Sequence, residues 1–323
     1  MINRQNLSRV VNFYLVASVI AAAYGLYKTI GYMAGIETGQ TIAYVVPRLY
    51  GTATEPQVFG NFLLSCLPLV LCLHLMGRRG WVRWAVPLFI LLLALVMTIS
   101  IGAWAGMIGA LLFIMLFVRR FTLKGVAAFL LIIVLISGVI WAVNRFAETD
   151  YLMGLTTAFE VKMLGTEPQN IQGTKNLLAV SDNRRSFVDR VWFREAAWNM
   201  FKDNPVIGVG TGNYGIFYNK YRSEGTPELA HNVKTHNDYL NILSETGIIG
   251  FAVFAAIIFT LLIKAFKNYF ETGPENKTII IGIVACLIGL GIHGYSFGIL
   301  KHNYTWVLAG FLAATESRQD KLR

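Results

Sequence analysis

The segment Thr235-His236-Asn237-Asp238-Tyr239-Leu240 places an imidazole directly before residues that open helices. Asn237 or Asp238 reads as an N-cap, and the short helix it opens is expected to end at Gly247. A helix N-terminus attracts anions and disfavours an imidazolium. His236 at such an end would stay neutral and accept a proton, and a phosphate there would meet backbone N–H groups. A surface histidine that merely caps a turn is the competing reading, and spacing alone leaves both open. Upstream lies Gly208-Val209-Gly210-Thr211-Gly212-Asn213. No strand precedes it, no βαβ unit surrounds it and no Lys-Ser/Thr follows, so nucleotide binding is set aside. A tight turn that lets backbone approach backbone is expected instead.

No metal or cofactor needs to be invoked. Glu148-Thr149-Asp150 is an acidic pair that a solvated loop explains. His231 and His236 are five residues apart, which is not a shared helix face. Cys66, Cys72 and Cys286 sit inside apolar runs without a C-x-x-C pattern, and read as small buried hydrophobes.

The elements that must position these groups are membrane helices. Of 323 residues, 55% are hydrophobic and only 14% charged, with mean hydropathy +0.54. A soluble domain carries roughly 25% charged residues. The fold class is therefore an all-α polytopic membrane protein. Apolar runs long enough to be weighed as spans occur at about 10–32, 58–76, 84–100, 102–118, 125–144, 247–266, 278–298 and 303–316, eight in all. Spans three and four form a tight hairpin. The N-terminal run reads as a retained first span, not a cleaved signal peptide.

Basic residues set the orientation. Arg4, Arg9, Arg78, Arg79, Arg83, Arg119, Arg120, Lys124, Lys264, Lys267, Lys277, Arg318, Lys321 and Arg323 fall on one side, and the short segments of the other side hold only Arg48 and Lys301. The positive-inside rule then places both termini in the cytoplasm. It also accounts for the net charge of +10 without nucleic acid. The chain divides into spans one to five (1–144), a large outer loop (145–246) and spans six to eight (247–323). A loop of that length is expected to be folded and functional.

Within the loop, 190–203 reads as an amphipathic helix capped by Asp189, with Val191, Trp192, Ala196, Trp198, Met200 and Phe201 as its apolar bulk. Lys28, His74, Asn61 and His293 are costly inside spans. Lys28 and His74 are expected to snorkel, and His293 to make a packing contact or line a cavity.

Four stretches carry a resemblance: "DNPVIGVGTGN" after an aromatic-rich helix, "THNDYLNILSETGIIG" entering a span, and "ATEPQVFGNFLLSCLPL" and "TISIGAWAGMIGALL" upstream. Together they resemble the O-antigen ligase / O-antigen polymerase family of bacterial inner-membrane glycosyltransferases, over roughly 50–320. The resemblance implies a GT-C-like membrane architecture and an undecaprenyl-pyrophosphate-linked glycan as donor. Lipid A–core is the acceptor in ligases, and another lipid-linked glycan in polymerases. It implies transfer at the periplasmic face, among membrane lipids, and with no metal called for by the residues the expected reaction is metal-independent.

Residue by residue, it carries a catalytic role to His236 and Arg190 and a supporting acidic position to Glu245. Arg190 and Arg194, one turn apart, then read as a clamp for pyrophosphate, whose oxygens match guanidinium forks. Asn237 joins them as a donor-binding residue, with Gly208 and Gly210 in support. An arginine meeting lipid headgroups is the bland alternative for Arg190.

The family's hairpin usually reads Ser-Arg-Gly, whereas this chain has Ser100-Ile101-Gly102. Arg194, Arg184, Arg185 or Lys301 are candidate replacements, and an inactive relative is the alternative. Relatives commonly carry more spans, and the shortfall falls at the N-terminus. Ligase is preferred to polymerase, followed by protein O-oligosaccharyltransferase, inactive relative and transporter.

Overall fold

A computed structural model describes residues 4–40, 47–76, 80–117, 123–146, 174–229 and 233–315. The described residues form helices and connections, with no strand among them. In order these are α1 (Arg4–Met33), α2 (Pro56–Leu64), α3 (Leu67–Met76), α4 (Gly80–Met97), α5 (Ile101–Phe117) and α6 (Leu123–Phe146). They continue with α7 (Thr174–Asp203), α8 (Tyr214–Tyr221), α9 (Asp238–Glu271), α10 (Pro274–Gly294) and α11 (Asn303–Ala313).

Among the described residues four stretches are long and apolar enough to cross a membrane: Ser8–Met33, Pro56–Met76, Asp238–Glu271 and Asn276–Gly294. Shorter apolar helices cover Arg83–Met97, Ile101–Phe117 and Phe129–Ala142. Helices α4 and α5 follow each other across a tight turn but pack on different neighbours, α4 on α3 and α5 on α10, and the expected second span is two helices. Pro68 explains the break, because it lacks an N–H and its ring crowds the carbonyl of Leu64. Ser65 and Cys66 close the interruption with bonds to Asn61 O and Leu63 O, at 3.1 and 3.2 Å.

Helix α10 is the centre of the bundle. It packs on α3 and α5, with α11 and α9 beside it. A Cβ on Gly106 of α5 would collide with the carbonyl of Gly289 on α10, so these backbones touch directly. His293, one turn further along α10, is buried against the start of α5, where a Cβ on Gly102 would lie 2.6 Å from its Cδ2. Lys28 and His74 are both buried and do not snorkel. The Lys28 ammonium sits 4.6 Å from the centre of the Tyr50 ring, whose π face shelters the charge.

The α4–α5 connection is unusually tight. Ile99 has φ +49 while buried, a costly state for a β-branched residue. The chain at 48–49 holds it there. Leu49 N bonds Met97 O at 2.8 Å. Arg48 Nε donates to Thr98 O at 2.9 Å and its Nη2 to Ile99 O at 2.8 Å. A guanidinium thus caps the carbonyl end of α4, where the helix dipole is negative.

Helix α7 is longer than expected and begins well before Asp189, which lies inside it and caps nothing. Its buried stripe is Phe193, Ala196, Ala197 and Met200, at the helical spacing i, i+3, i+4, i+7. Val191 and Trp198, expected on that face, are exposed. Tyr214 and Tyr218 of α8 complete this small core, separate from the membrane-helix core.

Candidate active site

His236 sits at the junction of the α7–α8 unit with the membrane helices. Its backbone has φ +50, a left-handed state in which histidine is enriched among non-glycine residues. Both neighbours pin it. Thr235 Oγ1 donates to Asn237 O at 3.1 Å. Asn237 Oδ1 accepts Leu240 N at 3.0 Å and is the N-cap of α9. The side chain of Asn237 is thereby turned onto its own helix.

The His236 ring stacks on Phe193 of α7 at 6.0 Å between centroids, 24° between planes. Phe297, in the α10–α11 connection, lies 5.8 Å away on another side. That connection is held in turn by Asp238, whose Oδ2 accepts Ile299 N at 2.6 Å and Leu300 N at 3.2 Å. The imidazole pKa is pushed down to about 4, first by burial and then by the charges of Arg190, Lys234, Arg194 and Lys301. His236 is therefore a neutral base at pH 7.

Arg190 lies one turn before Phe193. Its pKa falls to about 10, through burial first and then repulsion from Arg194 and Arg48, with Glu55 opposing. It remains a cation at neutral pH, among other cations. Arg194 is partly engaged: its Nη2 donates to Tyr295 O at 3.0 Å, and its guanidinium lies 4.5 Å from the Tyr295 ring centre. It ties α7 to the end of α10. The structure thus brings His236, Arg190 and Arg194 together, and adds Arg48, Phe193 and Phe297, which the sequence had not marked as site residues. Only folding reveals these, since Arg48 is far away in sequence and the two phenylalanines look like ordinary apolar residues.

The glycine turn and the start of α9 are one interlocking unit. Gly247 has φ +62 and ψ −165 and kinks α9, which runs on to Glu271 instead of ending there as expected. The kink exposes carbonyls on one side and N–H groups on the other. Val209 N and Gly210 N bond Ser244 O and Glu245 O, both at 2.9 Å. In return Ile248 N and Ile249 N bond Pro205 O and Val206 O, at 2.8 and 3.3 Å. The turn and the broken helix splint each other.

Glycines are required at the contact. A Cβ on Gly208 would meet the Glu245 carbonyl carbon and lie 2.5 Å from Thr246 N, and one on Gly247 would lie 2.5 Å from Ile207 N. Glu245 is also a structural link: Oε1 accepts Tyr214 N at 3.1 Å and Oε2 accepts Asn241 Nδ2 at 3.0 Å. It joins α9 to the start of α8.

Among the described residues no group of three or more His, Cys, Asp or Glu is arranged to hold a metal ion. Glu148, Asp150 and His231 lie outside the described residues, as do the side chains of Arg184 and Arg185. Lys301 belongs to the cationic surround of His236. A neutral imidazole ringed by cations at a helix N-terminus suits proton transfer beside a polyanion.

A family profile described as O-antigen ligase matches residues 86–255, which takes in most of α4, then α5, α7, α8, the splint and His236. No curated protein matches the chain.

Proposed function

The chain belongs to the O-antigen ligase family, and from that membership and the geometry around His236 we propose that it transfers a glycan from undecaprenyl pyrophosphate to a sugar hydroxyl. The acceptor is lipid A–core, and the reaction takes place at the periplasmic face of the bacterial inner membrane. Both termini are cytoplasmic in this reading, and α7, α8 and the splint face the periplasm. The observation that carries it is the meeting of an imidazole held neutral with Arg190 and Arg194.

The reaction is substitution at an anomeric carbon. The acceptor hydroxyl oxygen forms the new glycosidic bond, and its proton passes to the free electron pair of His236. The bond from the anomeric carbon to the pyrophosphate oxygen breaks, and the departing lipid pyrophosphate keeps the electron pair. Arg190, with Arg194 beside it, stabilises that growing negative charge. As the charge develops it also makes the imidazolium less costly, so proton transfer and departure support each other. Phe193 and Phe297 hold the ring in place and exclude water.

The test is transfer by protein reconstituted in lipid, from an undecaprenyl-pyrophosphate glycan, with lipid A–core or with donor alone, in the presence of EDTA. Product only with lipid A–core, lost in His236→Ala, supports a metal-independent ligase. Chain growth from donor alone makes it a polymerase. No product from folded protein in either reaction rejects the reading.

A further inference from the structure

The end of α7 and the turn after it carry apolar side chains that neither the small α7–α8 core nor the proposed transfer uses. Pro205, Val206 and Ile207 are all exposed, Ile207 at 72%. They do not stand alone. Ile248 N and Ile249 N bond Pro205 O and Val206 O, so the turn lies beside Ile248 and Ile249, which are also exposed. From there Val253, Ile257 and Phe266 continue the exposed apolar surface along α9. That helix is long and apolar enough to cross a membrane, and only 6% of its apolar window is buried.

The backbone of the turn suits a low dielectric. Pro205 has no N–H to leave unpaired. The consecutive carbonyls of Asn204, Pro205 and Val206 accept Gly208 N at 3.0 Å, Ile248 N at 2.8 Å and Ile249 N at 3.3 Å. A turn in water can leave such carbonyls to solvent, whereas one in hydrocarbon must satisfy them internally.

A second set of residues marks the depth. Arg194, Trp198, Phe201 and Pro205 share one face by helical spacing. Trp198 is exposed, with its ring 5.3 Å from that of Phe201. Arg194 is tied to the carbonyl and ring of Tyr295, the exposed C-cap residue of α10. Trp306, in the first turn of α11, is also exposed, and its Nε1 donates to Leu300 O at 2.8 Å. Trp and Tyr with one apolar and one polar side settle at the membrane–water boundary. The Arg194–Pro205 face therefore lies at the level where α10 ends and α11 begins.

We infer that the bilayer surface is a binding partner of the α7–α8 unit: Trp198, Phe201, Val206 and Ile207 insert about 5–10 Å into the headgroup–acyl boundary. The occupant is phospholipid, because the patch continues a surface that a spanning helix gives to lipid. The inference needs the helices to span a bilayer and nothing about the glycan, so it stands or falls apart from the proposed transfer. It also assigns the clasp at Gly247 a second task. The turn is fastened to α9 on one side and held by lipid on the other, so the bilayer sets the height of the segment that carries His236.

The test places a fluorophore at Ile207→Cys in the full chain, one copy per phosphatidylcholine nanodisc. Cys66, Cys72 and Cys286 are buried, so the introduced thiol is the one labelled. Ile257→Cys on α9 is the lipid-facing reference, and Glu224→Cys, exposed after α8, is the aqueous one. Quenchers are iodide in water and lipids carrying a doxyl group either near the headgroup or near the chain end. At position 207 the shallow doxyl lipid is expected to quench several-fold more than the deep one, and iodide several-fold less than at position 224.

Iodide quenching at 207 as strong as at 224 puts the turn in water and overturns the inference. Shielding from iodide and from both lipids means that protein covers the patch, and overturns it as well. Because a dye can insert through its own apolarity, the unlabelled chain is read too. Trp198→Phe should remove a component of the intrinsic fluorescence that the shallow lipid quenches and iodide does not. A lost component quenched by iodide alone rejects insertion at Trp198.

Discussion

Gly208→Ala should unlock the splint that holds His236 against α7. Gly208 has φ +68, and an alanine in that left-handed state costs about 1–2 kcal/mol. Its Cβ would also meet the Glu245 carbonyl carbon and lie 2.5 Å from Thr246 N. Those are backbone atoms of a helix and cannot rotate away. The turn must lift instead, losing Val209 N to Ser244 O and Gly210 N to Glu245 O, worth about 1 kcal/mol each. The sum is roughly 3–4 kcal/mol, or a shift of about a hundred- to a thousandfold toward the undocked turn.

Gly212→Ala is the control, with φ +81 and nothing within 4 Å of its Cβ, so it carries only the conformational part. Hydrogen exchange of peptides covering 205–213 and 244–249, in nanodiscs, reads the docking directly. Protection should fall about a hundredfold or more in Gly208→Ala and roughly five- to thirtyfold in Gly212→Ala, and transfer rate should follow the same order. Equal losses in the two variants would refute the steric reasoning.

His236 should titrate near pH 4 in the free protein, read by NMR of the labelled imidazole. A pyrophosphate charge about 5 Å away, at an effective dielectric constant of about 20, is worth roughly 3 kcal/mol and should raise that pKa by about 2 units; no shift would separate His236 from the anion site. Because the folded pKa lies below the ordinary 6.5, the native state binds fewer protons, so this group removes stability as pH falls from 6.5 toward 4 and is silent above. Arg190→Lys should keep the charge but lose the fork, lowering kcat/KM for transfer by roughly tenfold or more with lipid binding retained. Asn237→Ala should cost about 1 kcal/mol of α9 start stability, seen as faster exchange at Leu240, and a rate equal to wild type would show that the N-cap does not set the His236 pose.

The local chemistry of the site was legible where spacing reports directly on the backbone. Asn237 or Asp238 before an apolar helix reads as an N-cap, and Asn237 is the one that caps. The glycines of 208–212 read as a backbone-to-backbone turn, and Gly208 makes that contact. What could not be read was the partner of the turn. Nothing in a string of residues says that the carbonyls freed by Gly247 meet Val209 N and Gly210 N. The α7 stripe was misread for a related reason. Val191 and Trp198 are as apolar as Phe193 and Ala196, and only the position of α8 decides which face is covered. The break at 65–66 was visible in Pro68, but continuous hydrophobicity concealed it.

One mechanical consequence joins the motifs. Helix α9 carries the N-cap that pins His236 and, past the Gly247 kink, continues as an apolar helix into the bundle. Lys264 and Asn268 on that later part bond the carbonyls of Ala313 and Thr315 at the end of α11. At the other end Asp238 holds Ile299 and Leu300, just before α11 begins. The two ends of α11 are thus tied to one helix, on opposite sides of its kink. A change in the angle at Gly247 would move Phe297 and His236 together, because both hang from the same N-terminal segment. The splint from 205–210 resists that change. A rigid base beside a leaving group needs its pose held within a fraction of an ångström, and a kink clasped by four backbone hydrogen bonds provides that rigidity without any side chain that substrate must displace.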